Sequence, residues 1–353
     1  MKYPEVLKFE EFLNRSSNFD AIIDVRSPLE FEEDHIPGAI NFPVLNDTER
    51  VRVGTMYKQV GTFEAKRLGA ALVAKNIAQH IETQLQDQPK EWAPLIYCWR
   101  GGNRSGAMAH IFAKIGWRVA QLDGGYKTYR KFINDNIPEI ACKLNFRVLC
   151  GATGNGKSRL LQMLSEIGAQ VLDLEKLAAH RGSILGELPK HNQPSQKNFE
   201  SQIWNQIQHF NFEKPVFIEA ESKKIGNLRI PESIVKTMRQ SPCIEIKLPL
   251  DQRIALLKED YAHFVANPEA LAHQLNFLVS LHGREKINRW NEMAISDSLD
   301  QLVLELLSQH YDPAYIKSIE RNFQYAKTAT EIYQSSISKE DFLASAQRIL
   351  ILN

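Results

Sequence analysis

Two short segments carry residues whose type and spacing can do chemistry. The first is Cys98-Trp99-Arg100-Gly101-Gly102-Asn103-Arg104-Ser105, with an apolar run before it and a helical pattern after it. Backbone N–H groups in such a loop, and the N-terminus of the helix it opens, stabilise negative charge. Arg100 and Arg104 add positive charge. Gly101 and Gly102 let the backbone fold tightly around a small tetrahedral anion. A cysteine in that setting is favoured as thiolate, the nucleophilic form. For a bare cysteine the competing reading is a buried structural thiol; the glycine pair and the two arginines favour the nucleophile. The chain's other cysteines, Cys142, Cys150 and Cys243, begin no such loop. None of the four shows CxxC or metal-ligand spacing, so free thiols are expected.

The second segment is Gly151-Ala152-Thr153-Gly154-Asn155-Gly156-Lys157-Ser158, which fits G-x-x-x-x-G-K-[ST]. It follows the apolar run 146–150 and precedes a helical run from Arg159, the context this motif requires. Backbone N–H groups from Gly151 through Gly156 would wrap a diphosphate. Lys157 adds a point charge, and the Ser158 hydroxyl can hold Mg²⁺. The motif specifies a diphosphate-containing ligand, not ATP hydrolysis. Asp173 and Glu219 each end an apolar run. Either belongs near the metal if the sheet is parallel, and a solvated strand end is the equal alternative for each. His180 and Arg181 are candidates for anion or RNA contacts.

Both loops need strands to deliver them. Apolar runs at 21–25, 95–98 and 119–122 read as buried strands, with helical spacing at 65–85 and 105–115. Further strands are read at 146–150, 170–173, 215–219 and 243–248. Strands alternating with helices predict a mostly parallel sheet. After Pro249 the pattern is nearly all helical. The reading is an α/β chain with one parallel-sheet domain at 1–138 and a P-loop α/β domain with a helical C-terminal part at 139–353.

With 353 residues, the chain has room for about two domains. Lys and Arg total 43 against 42 Asp and Glu, so bulk charge announces no nucleic acid, and local patches must decide that contact. No apolar run approaches the roughly 18 residues of a membrane span, and the N-terminus lacks a signal peptide's apolar stretch. No membrane partner and a cytoplasmic location are the default expectations.

Residues 5–135 resemble the rhodanese family, through Asp24-Val25-Arg26-Ser27-Pro28, Glu30-Phe31, His35-Ile36-Pro37-Gly38-Ala39-Ile40-Asn41 and Asp123-Gly124-Gly125-Tyr126. The resemblance implies that Cys98 carries a chalcogen. Asp24, Arg26 and His35 lie outside the cysteine loop and read as braces of the fold. Many small rhodaneses end the loop five positions after the cysteine, whereas Arg104 lies six after Cys98. The wider cradle resembles that of phosphatases sharing the fold and suits a chalcogen attached to phosphate.

A rhodanese-like domain joined to a P-loop NTPase-like domain is similar to the tRNA 2-selenouridine synthase family. The similarity extends through Val53-Gly54-Thr55-Met56-Tyr57-Lys58, His180-Arg181-Gly182-Ser183 and the run from Phe217 to Gly226. It implies replacement of sulfur by selenium in wobble 2-thiouridine, in the anticodon loop of tRNA. It further implies S-geranyl-2-thiouridine as intermediate, with geranyl diphosphate and selenophosphate as substrates and no tightly bound cofactor beyond the Mg²⁺ that Ser158 can hold. RNA-contact candidates are Lys236, Arg239, His282, Arg284, Lys286, Arg289, Arg321 and Lys327, with Trp290 and Tyr325 among them. For each, a solvated helical surface is the alternative. The main alternative function is an ATP-using sulfurtransferase acting through a Cys98 persulfide. A phosphatase and a non-catalytic RNA-binding module are more distant ones. The sequence leaves oligomeric state open.

Overall fold

The computed structural model describes residues 3–189, 192–296 and 298–352. The chain divides into two compact units. One is built from the chain up to Asn136 together with Glu200–Trp204. The other is built from Ile137–Phe199 and the chain from Asn205 onward.

In the first unit the strands are β1 (Glu5–Leu7), β2 (Ala21–Asp24), β3 (Ala39–Asn41), β4 (Pro94–Tyr97) and β5 (Ala120–Leu122). They form one sheet in the order β1-β5-β4-β2-β3, with every pair parallel. β4 lies inside the sheet and is buried at all four positions. Parallel strands covered on both faces read as continuous apolar runs, which is why this strand is legible in the sequence. β1 and β3 have three residues each, too few to show a period. The core joins Ile23, Val25, Ile96, Met108, Phe112 and Trp117.

The second unit has β6 (Asn145–Cys150), β7 (Gln170–Leu172), β8 (Pro215–Glu219), the two-residue strands β9 (Lys224–Ile225) and β10 (Leu228–Arg229), β11 (Cys243–Lys247) and β12 (Thr330–Tyr333). Five of these make a second parallel sheet, ordered β12-β11-β6-β8-β7, and β9 and β10 form a small antiparallel pair. β12 interrupts the region read as nearly all helical. It is an edge strand with only Ile332 buried, so its sequence carries no apolar alternation.

The helices after β11 bury a separate cluster containing Leu271, Leu275, Leu278, Ile287, Trp290 and Leu302. Among the described residues no helix is long and apolar enough to cross a membrane.

Candidate functional site

β4 ends at Tyr97 and delivers Cys98 to the head of its loop, where the residue is 2% exposed. Gly101 and Gly102 take φ of +69° and +72°, values that an L side chain rarely adopts. Helix Asn103–Ile115 starts directly after them. Ser105 Oγ donates to Cys98 Sγ at 3.3 Å. Gln121 Nε2 in turn donates to Ser105 Oγ at 3.0 Å and to the Gly102 carbonyl at 3.1 Å, tying β5 to the loop. Gly125 explains the second glycine of the Asp123–Tyr126 run. At φ +56° a Cβ there would lie 2.2 Å from the Cys98 carbonyl oxygen. Its absence lets the Tyr126 N–H donate to that oxygen at 2.8 Å.

The two loop arginines part company. Arg100 is exposed. Arg104 reaches sideways to Glu30, with Nη1 2.7 Å from Oε2. Burial pushes the Glu30 carboxyl up, but Arg104, Arg50 and the Ser27 N–H together hold it below its ordinary range. Asp24 and Arg26 form a buried ion pair at 2.6 Å, and the Arg26 guanidinium lies 4.0 Å above the Tyr126 ring. His35 stacks on Phe31 and bonds the Phe31 carbonyl at 2.9 Å. All three are engaged within the fold, as braces. Ser105, Gln121 and Glu30 also shape the loop, and of these Gln121 lies outside every motif read in the sequence.

In the second unit β6 feeds the loop 151–156, and helix Lys157–Glu166 leaves it. Gly154 and Gly156 have φ of +80° and +77°. A Cβ on Gly156 would come within 2.6 Å of the Phe342 ring. Lys157 Nζ donates to the Gly151 carbonyl at 2.8 Å, and Asn155 Nδ2 donates to the Ile246 carbonyl at 2.9 Å. The loop is clamped from outside by residues with no motif signal. Buried Arg253 donates to the Thr153 carbonyl at 3.0 and 2.7 Å and pairs with Asp312 at 2.7 Å. The Tyr315 hydroxyl accepts the Gly151 N–H.

Of the two acids the sequence points to, Glu219 joins a cluster beside this loop and Asp173 does not. Asp173 Oδ1 accepts the Lys176 N–H at 2.9 Å and so caps helix Leu174–Ala178. Glu175, in the first turn of that helix, joins Glu219 and Glu221 in a cluster whose carboxylate oxygens lie within 4.8 Å of one another. Ser158 Oγ donates to Glu175 Oε2 at 3.4 Å. Burial raises all three acids: Glu219 lifts Glu221 further, to about 8, while Lys157 opposes the rise at each. Glu219 Oε1 is buried without a hydrogen-bond partner. Asp173 thus serves the helix, and Glu219 serves the cluster.

Lys157, Ser158, Glu219 and Glu221 line a cavity of about 290 Å³. Leu256, Phe264, Leu302, Val303 and Leu306 make much of its remaining wall apolar, and Lys258, Asp260 and Tyr311 add polar atoms. Arg181 also lines it, with its guanidinium 5.0 Å over the Tyr261 ring and 3.5 Å from Asp260. His180 does not; its Nδ1 accepts the Gly182 N–H at 3.1 Å and braces the turn. A phosphate loop, a carboxylate cluster and an apolar chamber therefore share one space. Such a space holds an amphiphile with a charged head and a hydrocarbon tail.

Residues 8–132 match the rhodanese-like domain family, and residues 144–276 match the family described as the tRNA 2-selenouridine synthase AAA domain. Curated relatives named tRNA 2-selenouridine synthase include the following three. The protein of Aeromonas salmonicida is 30% identical over 84% of this chain and 86% of its own length. That of Shewanella denitrificans is 31% identical over 88% and 91%. That of Nitrosomonas europaea is 36% identical over 68% of this chain, and the match spans 63% of its own length.

Proposed function

Because the chain belongs to the tRNA 2-selenouridine synthase family, we propose that it replaces the sulfur of wobble 2-thiouridine in tRNA by selenium, through an S-geranyl intermediate. Geranyl diphosphate binds in the second unit, and selenophosphate is received at the Cys98 loop. The observation that carries the geranyl step is the apolar chamber contiguous with the phosphate loop. The leucine and phenylalanine part of that chamber offers no partner to a nucleobase's polar edges, whereas a ten-carbon allylic chain has none to satisfy.

The chemistry follows from the residues. Loop N–H groups and Lys157 hold the diphosphate and stabilise the charge that grows as the allylic C–O bond breaks. The thiocarbonyl sulfur of the base forms the new C–S bond, diphosphate leaves with the electron pair, and the base loses its N3 proton. Alkylation turns a poor leaving group into a neutral thiol. Selenophosphate held at the Cys98 loop then attacks C2 through selenium, geranyl thiol departs with the electron pair and a proton, and water cleaves the P–Se bond to release phosphate.

The acids fit a divalent cation. Three carboxylates converge beside Ser158, and Glu219 Oε1 lacks a partner. Glu175, Glu219, Glu221 and Ser158 would hold Mg²⁺, which supplies positive charge against a diphosphate. Without such charge the three acids would oppose an anionic ligand, and burial raises the pKa of each.

Calorimetry on the full chain tests the assignment. A buried CH₂ contributes about 0.8 kcal/mol, so geranyl diphosphate should bind at least about 100-fold more tightly than inorganic diphosphate. Equal affinities, together with tight ATP binding and ATP turnover, would reject the geranyl reading in favour of the sulfurtransferase.

A further inference from the structure

The eight basic candidates of the C-terminal part do not form one surface. His282 Nε2 is bonded to His310 Nδ1 at 3.0 Å, Arg289 is paired with Glu305, and Lys286 lies 5.1 Å over the Trp290 ring. These three are engaged with the protein itself. Lys236, Arg239, Arg321 and Lys327 instead line one groove of about 520 Å³. Among the described residues none of these four has a carboxylate within ion-pair distance. Arg239 Nε is also buried without an acceptor. Of the two acids in the groove, Glu232 is taken up by Lys223 at 3.1 Å.

The groove is built before any ligand arrives. Lys236 and Arg239 occupy the last turn of helix Glu232–Arg239, where cations also complement the helix dipole. Arg321 lies in the last turn of helix Asp312–Asn322. Phe323 is buried as an anchor, and the Gln324 N–H donates to the Arg239 carbonyl at 3.0 Å, locking the two segments together. Lys327 sits on the short turn Ala326–Thr328. Beside it Tyr325 is 40% exposed. Four unpaired cations around a fixed concavity, next to an exposed aromatic, match a sugar–phosphate backbone with an unstacked base.

Helix Asp312–Asn322 links this groove to the phosphate loop. Its first turns hold Arg253 through Asp312 and Gly151 through Tyr315, and its last turn offers Arg321. Eleven residues at about 1.5 Å each give a span of about 16 Å. At about 3.4 Å per stacked nucleotide of one strand, that is roughly five nucleotides of backbone.

From this arrangement, and resting on the reading that tRNA is the substrate, we infer that the groove of Lys236, Arg239, Arg321 and Lys327 is the tRNA backbone-binding site of the second unit. It positions the anticodon arm while the wobble base is served elsewhere.

The test is anisotropy of labelled tRNA carrying 2-thiouridine, titrated with the full chain between 50 and 200 mM salt. The variants are Arg321→Ala, Lys327→Ala and the quadruple alanine variant of the four cations. Removing one phosphate-binding cation should lower the slope of log affinity against log salt by about 0.7–0.9, and the quadruple variant should lower it by about 3. Affinity should fall at least about tenfold in the quadruple variant at 50 mM salt, while geranyl diphosphate binding, read by calorimetry, stays unchanged. The single variants alter groove-lining side chains one at a time, so they report even if the quadruple variant fails to fold. Wild-type affinity and slope in the single variants would overturn the groove assignment. So would unchanged tRNA binding with loss of an acidic peptide probe, which would hand the groove to a protein partner. Failure of the wild-type chain to bind tRNA at all would instead reject the substrate reading.

Discussion

Arg104 Nη1 and Glu30 Oε2 lie 2.7 Å apart although 74 residues separate them in the chain. The pair joins the helix that opens the cysteine loop to helix Pro28–Glu33, and both side chains are mostly buried. By sequence Arg104 belongs to the anion cradle. In the fold its guanidinium is held by a carboxylate, which makes it a brace of the loop. Backbone N–H groups of the loop then remain to hold negative charge at Cys98, and Arg100 is exposed.

Removing one partner of such a pair strands the other. Glu30→Ala should therefore lower stability by about 2–3 kcal/mol in urea unfolding. The Glu30→Ala/Arg104→Ala double variant should be more stable than the summed single losses imply, with a coupling of at least about 1 kcal/mol. Additivity within about 0.5 kcal/mol would show that the contact is an ordinary surface pair.

A second prediction concerns Cys98. It alone of the four cysteines heads a loop of glycines and arginines, and Ser105 Oγ is directed at its sulfur. Cys98→Ser is nearly isosteric, so it should leave thermal unfolding unchanged while abolishing selenium incorporation into tRNA, read by nucleoside mass spectrometry. Selenouridine formed at the wild-type rate by that variant would remove Cys98 from the selenium step.

The third is a pH dependence. Burial lowers both members of the His282–His310 pair, with Lys286 adding to the effect on His282 and His282 to that on His310. Their folded values lie below the unfolded value near 6.5. The stability they contribute is therefore complete above about pH 6.5 and is lost as pH falls through the lowered values. Tm should drop between pH 7 and pH 5, and His310→Gln should flatten that drop. An identical Tm profile in the variant would remove the pair from the acid limb.

What the sequence discloses and what it hides follow one physical rule. The cysteine loop and the phosphate loop are contiguous, so strand, glycines and helix start are written side by side around Cys98 and Lys157. The residues that complete them come from far along the chain. Arg253 and Tyr315 clamp the phosphate loop from 100 and 164 residues away, and in sequence each is an ordinary helix residue. Asp173 stands out over Glu175 because it ends an apolar run. That position makes it a helix cap, and the turn it caps carries the acid of the cluster. The apolar chamber is invisible in one dimension because its leucines follow normal helical spacing and differ from core leucines only in facing a void.

The last prediction concerns order. Cys98 belongs to the first unit and Lys157 to the second, and no residue is common to the two loops. If geranylation prepares the leaving group, it precedes selenation. Cys98→Ala leaves the phosphate loop, its Arg253 clamp and the apolar chamber untouched. That variant should convert 2-thiouridine to S-geranyl-2-thiouridine in tRNA and stop there. Lys157→Ala removes the loop's point charge, and losing one charge-stabilising donor of this kind costs about 10²–10³ in rate. It should stall at 2-thiouridine, yet still selenate tRNA supplied already geranylated. A single-turnover assay on purified tRNA, with the wobble nucleoside read by mass spectrometry, separates these outcomes. If folded, tRNA-binding Cys98→Ala blocked geranylation as strongly as selenation, the division of labour would fail and one shared active site would replace it.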